Sequence, residues 1–172
     1  MTDKCFNIHL HHHPLATCYS SAYNYFAMSK AKDAAAIMHA HRVNCAQSVM
    51  SVFCEQLDLN LDTGLRVAMA FGSGMGRSGN TCGAVTGAYM ALGLAQTIPQ
   101  ENPREAIDKT YESVRRFNER FTAKHGSLLC RELLGCDMSQ PGGIEEARDK
   151  ELFANVCPNL VHDAVQIAED LL

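Results

Sequence analysis

The chain has 172 residues, a formal net charge of −4 with histidine neutral, and 47% hydrophobic residues. That length suits one domain with a substantial core, and the mildly acidic balance carries no electrostatic footprint for nucleic acid. The N-terminus lacks the charged, then apolar, then small-residue order of a secretory signal, which points to a cytoplasmic protein.

The longest apolar stretch, Ala84 to Ala95, contains Thr86 and Tyr89 and falls short of the roughly 20 residues a membrane span needs. It reads as a buried core helix, with no membrane association expected. Eight cysteines are present and no two form a CxxC pair. In a reducing compartment they are poor candidates for structural disulfides, so metal or redox chemistry gains weight.

Two units are expected, an N-terminal extension over 1–28 and a helical domain over 29–172. The extension holds His9, His11, His12 and His13. As an exposed tail, that tract is read as an adventitious metal binder. Pro14 suits the first position of a short helix, with Ala16, Tyr19, Tyr23 and Phe26 on one stripe. From Ser29 to Leu57 there is no Gly or Pro, and Met38, Cys45, Val49 and Val52 share a face, which predicts one long amphipathic helix.

Asp62-Thr63-Gly64 is the expected break. Leu65 to Phe71 then reads as a short apolar helix, with a buried strand as the alternative, running into Gly72-Ser73-Gly74-Met75-Gly76-Arg77-Ser78-Gly79. A second helix is expected over 80–97. Its Gly79, Gly83, Gly87, Ala91 and Ala95 form a smooth ridge against which another helix can pack, within the core or, as the alternative, across a homodimer.

Asn102 and Pro103 open the next helix, with Glu105 completing a capping signal. Ile107, Tyr111, Val114, Phe117 and Phe121 are its expected buried face, and its mixed charge run is ordinary helix surface. Gly126 ends it, and Ser127 caps a helix with Cys130 in its first turn. A weak helix over 144–153 follows the Gln140-Pro141-Gly142-Gly143 loop. Cys157-Pro158 opens the last helix, with Val161, Ala164, Val165, Ala168 and Leu172 facing inward. No segment alternates with period two, so the expected fold is all-α, a compact multi-helix bundle with the glycine-rich loop beside a central small-residue helix.

Cys82, Cys130 and Cys157 therefore all fall at helix starts. There, unpaired backbone N–H groups and the helix dipole stabilise a thiolate, as a metal ligand or reactive thiol requires. Cys45 reads as core from its pattern, although His41 one turn earlier could share a metal with it. Cys5, Cys18 and Cys54 read as small buried hydrophobes, and Cys136 is left open.

Gly74-Met75-Gly76-Arg77-Ser78-Gly79 satisfies G-x-G-x-x-G, but the strand–turn–helix context of a dinucleotide site is absent. The functional alternative is that backbone N–H groups of Gly74 and Gly76 face the sulfurs of a cluster bound by Cys82, with Arg77 adding positive charge. The structural alternative is a tight turn with a solvated arginine. Paired carboxylates and a serine nucleophile elbow are missing from these motifs, and nothing singles out His125 or His162 as a catalytic base.

Several segments together carry a resemblance. They are Asn44-Cys45-Ala46-Gln47-Ser48-Val49, Phe71 to Arg77, Thr81-Cys82-Gly83-Ala84-Val85-Thr86-Gly87-Ala88, Met90 to Leu94, His125 to Gly135, and Cys157-Pro158. In this order the chain resembles the redox-active family named C_GCAxxG_C_C after its cysteine pattern, although neither NCAQSV nor CGAVTG spells the GCAxxG motif. The resemblance implies redox activity and brings Cys45 into the site. A similar domain in a haem-bearing cytochrome implies an iron–sulfur cluster; a c-type haem is not implied, because no C-x-x-C-H occurs here.

The leading expectation is then an iron–sulfur cluster, [2Fe–2S] or [4Fe–4S], on Cys45, Cys82, Cys130 and Cys157, exchanging electrons with a redox partner protein or sensing redox state. Two alternatives use the same residues. One is a cofactor-free thiol–disulfide oxidoreductase with Cys82 as nucleophile and Cys45, Cys130 or Cys157 resolving. The other is a zinc-stabilised structural or interaction module.

Overall fold

The computed structural model describes residues 29–41, 43–96 and 102–172. The N-terminal His cluster, Cys5, Cys18 and the helix expected after Pro14 lie outside the described residues, as does the side chain of His41. The described residues form an all-α fold whose one extended feature is an isolated antiparallel bridge between Thr81 and Leu129. Among them, no helix is long and apolar enough to cross a membrane.

The Gly- and Pro-free run over 29–57 does not make one helix. It divides into α1 (Lys30–His41) and α2 (Cys45–Ser51), and then turns. The cause is Asn44. Its side chain accepts from Gln47 N–H at 3.1 Å, and its own N–H donates to the Gln47 side chain at 3.0 Å. This reciprocal capping box starts a new helix at Cys45 despite strong helix formers on both sides. In α3 (Leu61–Ala68), Asn60 is the cap, so Asp62-Thr63-Gly64 lies inside a helix rather than breaking one. A 3₁₀ turn, Met69–Phe71, leads from α3 to the glycine-rich loop.

At the centre is α4 (Gly83–Leu94), apolar all round and buried from Gly83 to Ala88 and again at Ala91 and Leu92. Its most extensive packing is against α2, and its small-residue ridge makes that approach possible. A Cβ on Gly87 would stand 2.8 Å from both the Ala46 carbonyl oxygen and Val49 Cβ. The ridge is thus used inside the core. The expected start of this helix at Asn80 is displaced, because Thr81 is held in the bridge to Leu129 and Cys82 occupies the cap position.

The long helix α5 (Pro103–His125) buries Phe117 and Phe121, stacked with ring centroids 5.6 Å apart. Its first half buries only Ala106, whereas Ile107 and Tyr111, expected inside, are 41% and 58% exposed. Asn102 sits at its cap but its side chain makes no cap bond. Gly126, in the left-handed region, ends the helix, and Ser127 Oγ accepts from Leu129 N–H at 2.9 Å just before α6 (Cys130–Leu134).

The weak helix expected over 144–153 is two pieces, α7 (Gly143–Asp149) and α8 (Leu152–Asn155), broken at Glu151 with φ 51°. Last comes α9 (Cys157–Glu169), which packs against α1 and α4. Val161, Ala164, Val165 and Ala168 are fully buried, but Leu172, expected inward, is 39% exposed.

Candidate functional site

The four cysteines sit at four helix starts. Cys45 is the first residue of α2, Cys130 of α6 and Cys157 of α9, and Cys82 caps α4. Cys45 therefore shares the placement expected of the other three, because the Asn44 capping box moves the helix start onto it. All four are buried in the same core cluster.

Backbone pairing, not local sequence, brings Cys82 to Cys130. Cys82 N–H donates to the Leu128 carbonyl at 2.8 Å, and Cys130 N–H donates to the Asn80 carbonyl at 2.7 Å. These two bonds flank the Thr81–Leu129 bridge and hold the thiols side by side. Arg131 N–H adds a bond to the Gly79 carbonyl at 3.2 Å. The Cys157 thiol lies beside that of Cys45 without any such backbone pairing, and the two pairs are close enough for their charges to interact. The site is thus a pair of pairs, Cys82–Cys130 and Cys45–Cys157.

The electrostatics are uneven. The neighbouring Cys130 thiol favours a Cys82 thiolate; burial opposes it, and the Ala84 and Val85 amides at the start of α4 assist it, leaving its pKa below the usual thiol value. Cys130 is held far above the usual range by its contact with Cys82, by burial and by the charges of Cys82, Cys45 and Cys136. Cys157 is raised likewise, first by Cys45, then by burial and by the remaining site sulfurs.

The glycine-rich loop packs directly on these residues. A Cβ on Gly74 would lie 2.7 Å from Cys130 Cβ and 2.8 Å from Asn80 N, and one on Gly83 would lie 3.0 Å from Cys45 Cβ. Gly72 lies equally close to the Asn44 side chain, whose amide donates to the Met69 carbonyl at 2.9 Å. The turn itself is left-handed. Ser73, Gly74, Met75, Gly76 and Arg77 all have φ between 53° and 70°, and Gly76 N–H closes the turn on the Gly72 carbonyl at 3.0 Å. Three of these five carry side chains, each in a conformation that costs an L-residue about 1–2 kcal/mol. Of the loop residues expected at the site, Gly74 abuts Cys130, whereas Gly76 and Arg77 are exposed.

The other two described cysteines are engaged elsewhere. Cys54 Sγ donates to the Met50 carbonyl at 3.3 Å, and burial raises its pKa. Cys136 Sγ donates to the Gly143 carbonyl at 3.2 Å. His125 and His162 converge on Asp163 instead of on a thiol. His162 Nδ1 is 3.1 Å from Oδ1, and His125 Nε2 is 2.9 Å from Oδ2 but off the line of a good hydrogen bond. Lys124 Nζ adds a contact of 2.8 Å. Among the described residues, no three His, Cys, Asp or Glu side chains are grouped tightly enough to hold a single metal ion. A cluster with more than one iron distributes its ligands more widely than one ion bound about 2.3 Å from each sulfur.

Two features of the site escaped the sequence reading. The Asn44–Gln47 box was visible as N-x-x-Q, a legitimate capping pattern. The pairing of 79–82 with 128–131 had no local signal.

Fold and site together define an all-α protein with four buried cysteines at helix starts. Residues 43–171 match the family described as "Putative redox-active protein (C_GCAxxG_C_C)", and the chain belongs to that family. No curated protein and no solved structure matches it.

Proposed function

We propose that this is a redox protein that holds an iron–sulfur cluster through Cys45, Cys82, Cys130 and Cys157, for electron transfer or redox sensing. The observation that supports it best is the meeting of four buried thiols from four separate helix starts. Four thiolates in an apolar core repel one another and lose hydration, a cost that a polynuclear cation offsets. A bound cluster would supply one-electron chemistry at a potential tuned by charge, burial and hydrogen bonds to sulfur.

The chain's own part is to present the four sulfurs, keep water out with the α4–α9 core, and partly offset negative charge with helix N-termini. Anaerobically purified protein should contain iron and acid-labile sulfide and show a sulfur-to-iron absorption band in the visible region. Protein that stays colourless even after cluster reconstitution contradicts the proposal. Stoichiometric zinc without iron or sulfide would replace it with the structural-module reading.

The side-by-side pairs favour a second reading, a thiol–disulfide oxidoreductase. Oxidation of Cys82 and Cys130 would form one S–S bond and release two electrons and two protons to an acceptor. Burial counts against this, since exchange with a protein disulfide needs an accessible sulfur. Cofactor-free protein that reversibly gains and loses two thiols in a redox buffer, with the disulfide mapped to one of these pairs, would establish it.

A further inference from the structure

The chain between α3 and α4 holds a band of apolar side chains in solvent. Val67, Met69 and Met75 are 56%, 60% and 41% exposed, and Ala70 is exposed beside them. Local packing gathers them. The Met69 carbonyl is held by the Asn44 amide, and Gly72 sits against that same side chain. The loop then folds back, so that a Cβ on Gly76 would stand 3.8 Å from the Ala70 carbonyl oxygen.

Three exposed arginines border this face. Arg66 and Arg77 are the only charged residues in the sequence between Asp62 and Glu101, in a chain whose net charge is −4. Arg131 stands beside the end of the loop: a Cβ on Gly79 would lie 3.3 Å from Arg131 Cβ, and the guanidinium donates to the Asn80 side chain at 3.4 Å. Asp62, 3.7 Å from Arg66, and Asp137, 3.9 Å from Arg131, partly offset two of them. Three arginines against two carboxylates leave the border net positive.

Methionine and arginine are both enriched at protein–protein interfaces, where the flexible thioether adapts to a partner's shape. The face also lies over the cysteines. Gly74, whose Cβ would meet Cys130, directly precedes Met75, and a Cβ on Gly83 would lie 3.2 Å from Gly72 Cα and 3.0 Å from Cys45 Cβ. Exposed Met75 is thus one residue from a contact with a site cysteine.

We infer that this face is the docking surface for a small acidic electron-carrier protein. Its carboxylates meet Arg66, Arg77 and Arg131 around an apolar centre seated on Val67, Met69 and Met75. This rests on the reading of the four cysteines as a redox site and names the partner of that site. One electron passes from the partner's reduced one-electron centre to the oxidised site, and no bond forms or breaks. The cationic border steers the encounter, and the apolar centre holds the complex.

The test is titration calorimetry on the full chain as purified, with an acidic [2Fe–2S] ferredoxin and an acidic flavodoxin, both oxidised, as probes. At least one should bind, and added salt should weaken it several-fold. Arg77→Glu should weaken binding about tenfold, while Arg77→Lys keeps most of it. Met69→Gln combined with Met75→Gln, which removes apolar contact without changing charge, should also weaken it about tenfold. Tyr111→Glu, at an exposed apolar position on α5, should bind like the wild type. Circular dichroism confirms that each variant is folded.

Failure of both acidic carriers to bind, affinity unchanged in the Arg77→Glu and methionine variants, or equal binding of a lysine-rich cytochrome c would each overturn the inference. So would sedimentation with anionic phospholipid vesicles that Arg77→Glu abolishes, which would assign the face to a membrane instead. Binding is read without the cluster's absorption, and iron and sulfide content of the same preparation tests the cluster separately. A failed docking surface and a failed cluster therefore give different results.

Discussion

Gly74 meets two constraints at once, since its φ is +70° and a Cβ there would stand 2.7 Å from Cys130 Cβ. Gly74→Ala combines left-handed strain with overpacking, and should cost about 2–4 kcal/mol in urea unfolding. Met75 has the same backbone hand but is exposed, so Met75→Gly should stabilise by about 1 kcal/mol. Asp163 supplies a pH dependence. Burial opposes its ionisation, but hydrogen bonds from Lys124 and His162 and the charges of Lys124 and His125 outweigh it and lower its pKa. A carboxyl with a lowered folded-state pKa contributes stability above its unfolded value of 3.8, and that contribution is lost as pH falls through the folded value. The wild type should therefore lose more stability than Asp163→Asn between pH 5 and pH 2 in thermal melts, and the reverse order would contradict this account. At this scale the sequence was informative for Cys82, Cys130 and Cys157, which stand beside turn and cap signals. It was not for Cys45, whose capping box lies inside a run of good helix formers that masks the break.

The contact between α2 and α4 sets where Cys45 stands relative to the rest of the site. Gly83 and Gly87 let the helices approach until Cβ atoms at those positions would touch Cys45, Ala46 and Val49. Gly87→Ala should therefore destabilise by about 1–3 kcal/mol. Gly93, on the same helix, has nothing nearer than Thr110 Cγ2 at 3.8 Å from a Cβ, so Gly93→Ala should stabilise by up to about 1 kcal/mol. Opposite signs from the same substitution on one helix separate packing from propensity, and denaturant midpoints measure both. The four-residue spacing of small side chains made this ridge legible. Element boundaries were less so. The N-terminal half of α5 carries Ile107 and Tyr111 at core spacing, yet among the described residues no helix packs over them, and Glu151 interrupts the helix with a backbone conformation that nothing in its neighbours announces.

Over the whole molecule, the site depends on connections between distant parts of the chain. Residues 79–82 bind 128–131 through the backbone, α9 brings Cys157 to Cys45, and α4 lies between them in the core. The helical class followed from the absence of period-two alternation, and the order of cysteines from the family pattern. Which cysteine meets which did not follow, because pairing across some fifty residues is decided by packing and by a bridge without a sequence signature. The absence of CxxC is explained by this architecture, in which each helix start contributes one sulfur. The most direct test is iron and acid-labile sulfide content, with circular dichroism as a folding control, in six single Cys→Ser variants. The account predicts that substitution of Cys45, Cys82, Cys130 or Cys157 strongly reduces both iron and sulfide, while Cys54→Ser and Cys136→Ser keep wild-type content. Full loading in any of the first four, or its loss in the Cys136 variant, would contradict a single site built from those four residues.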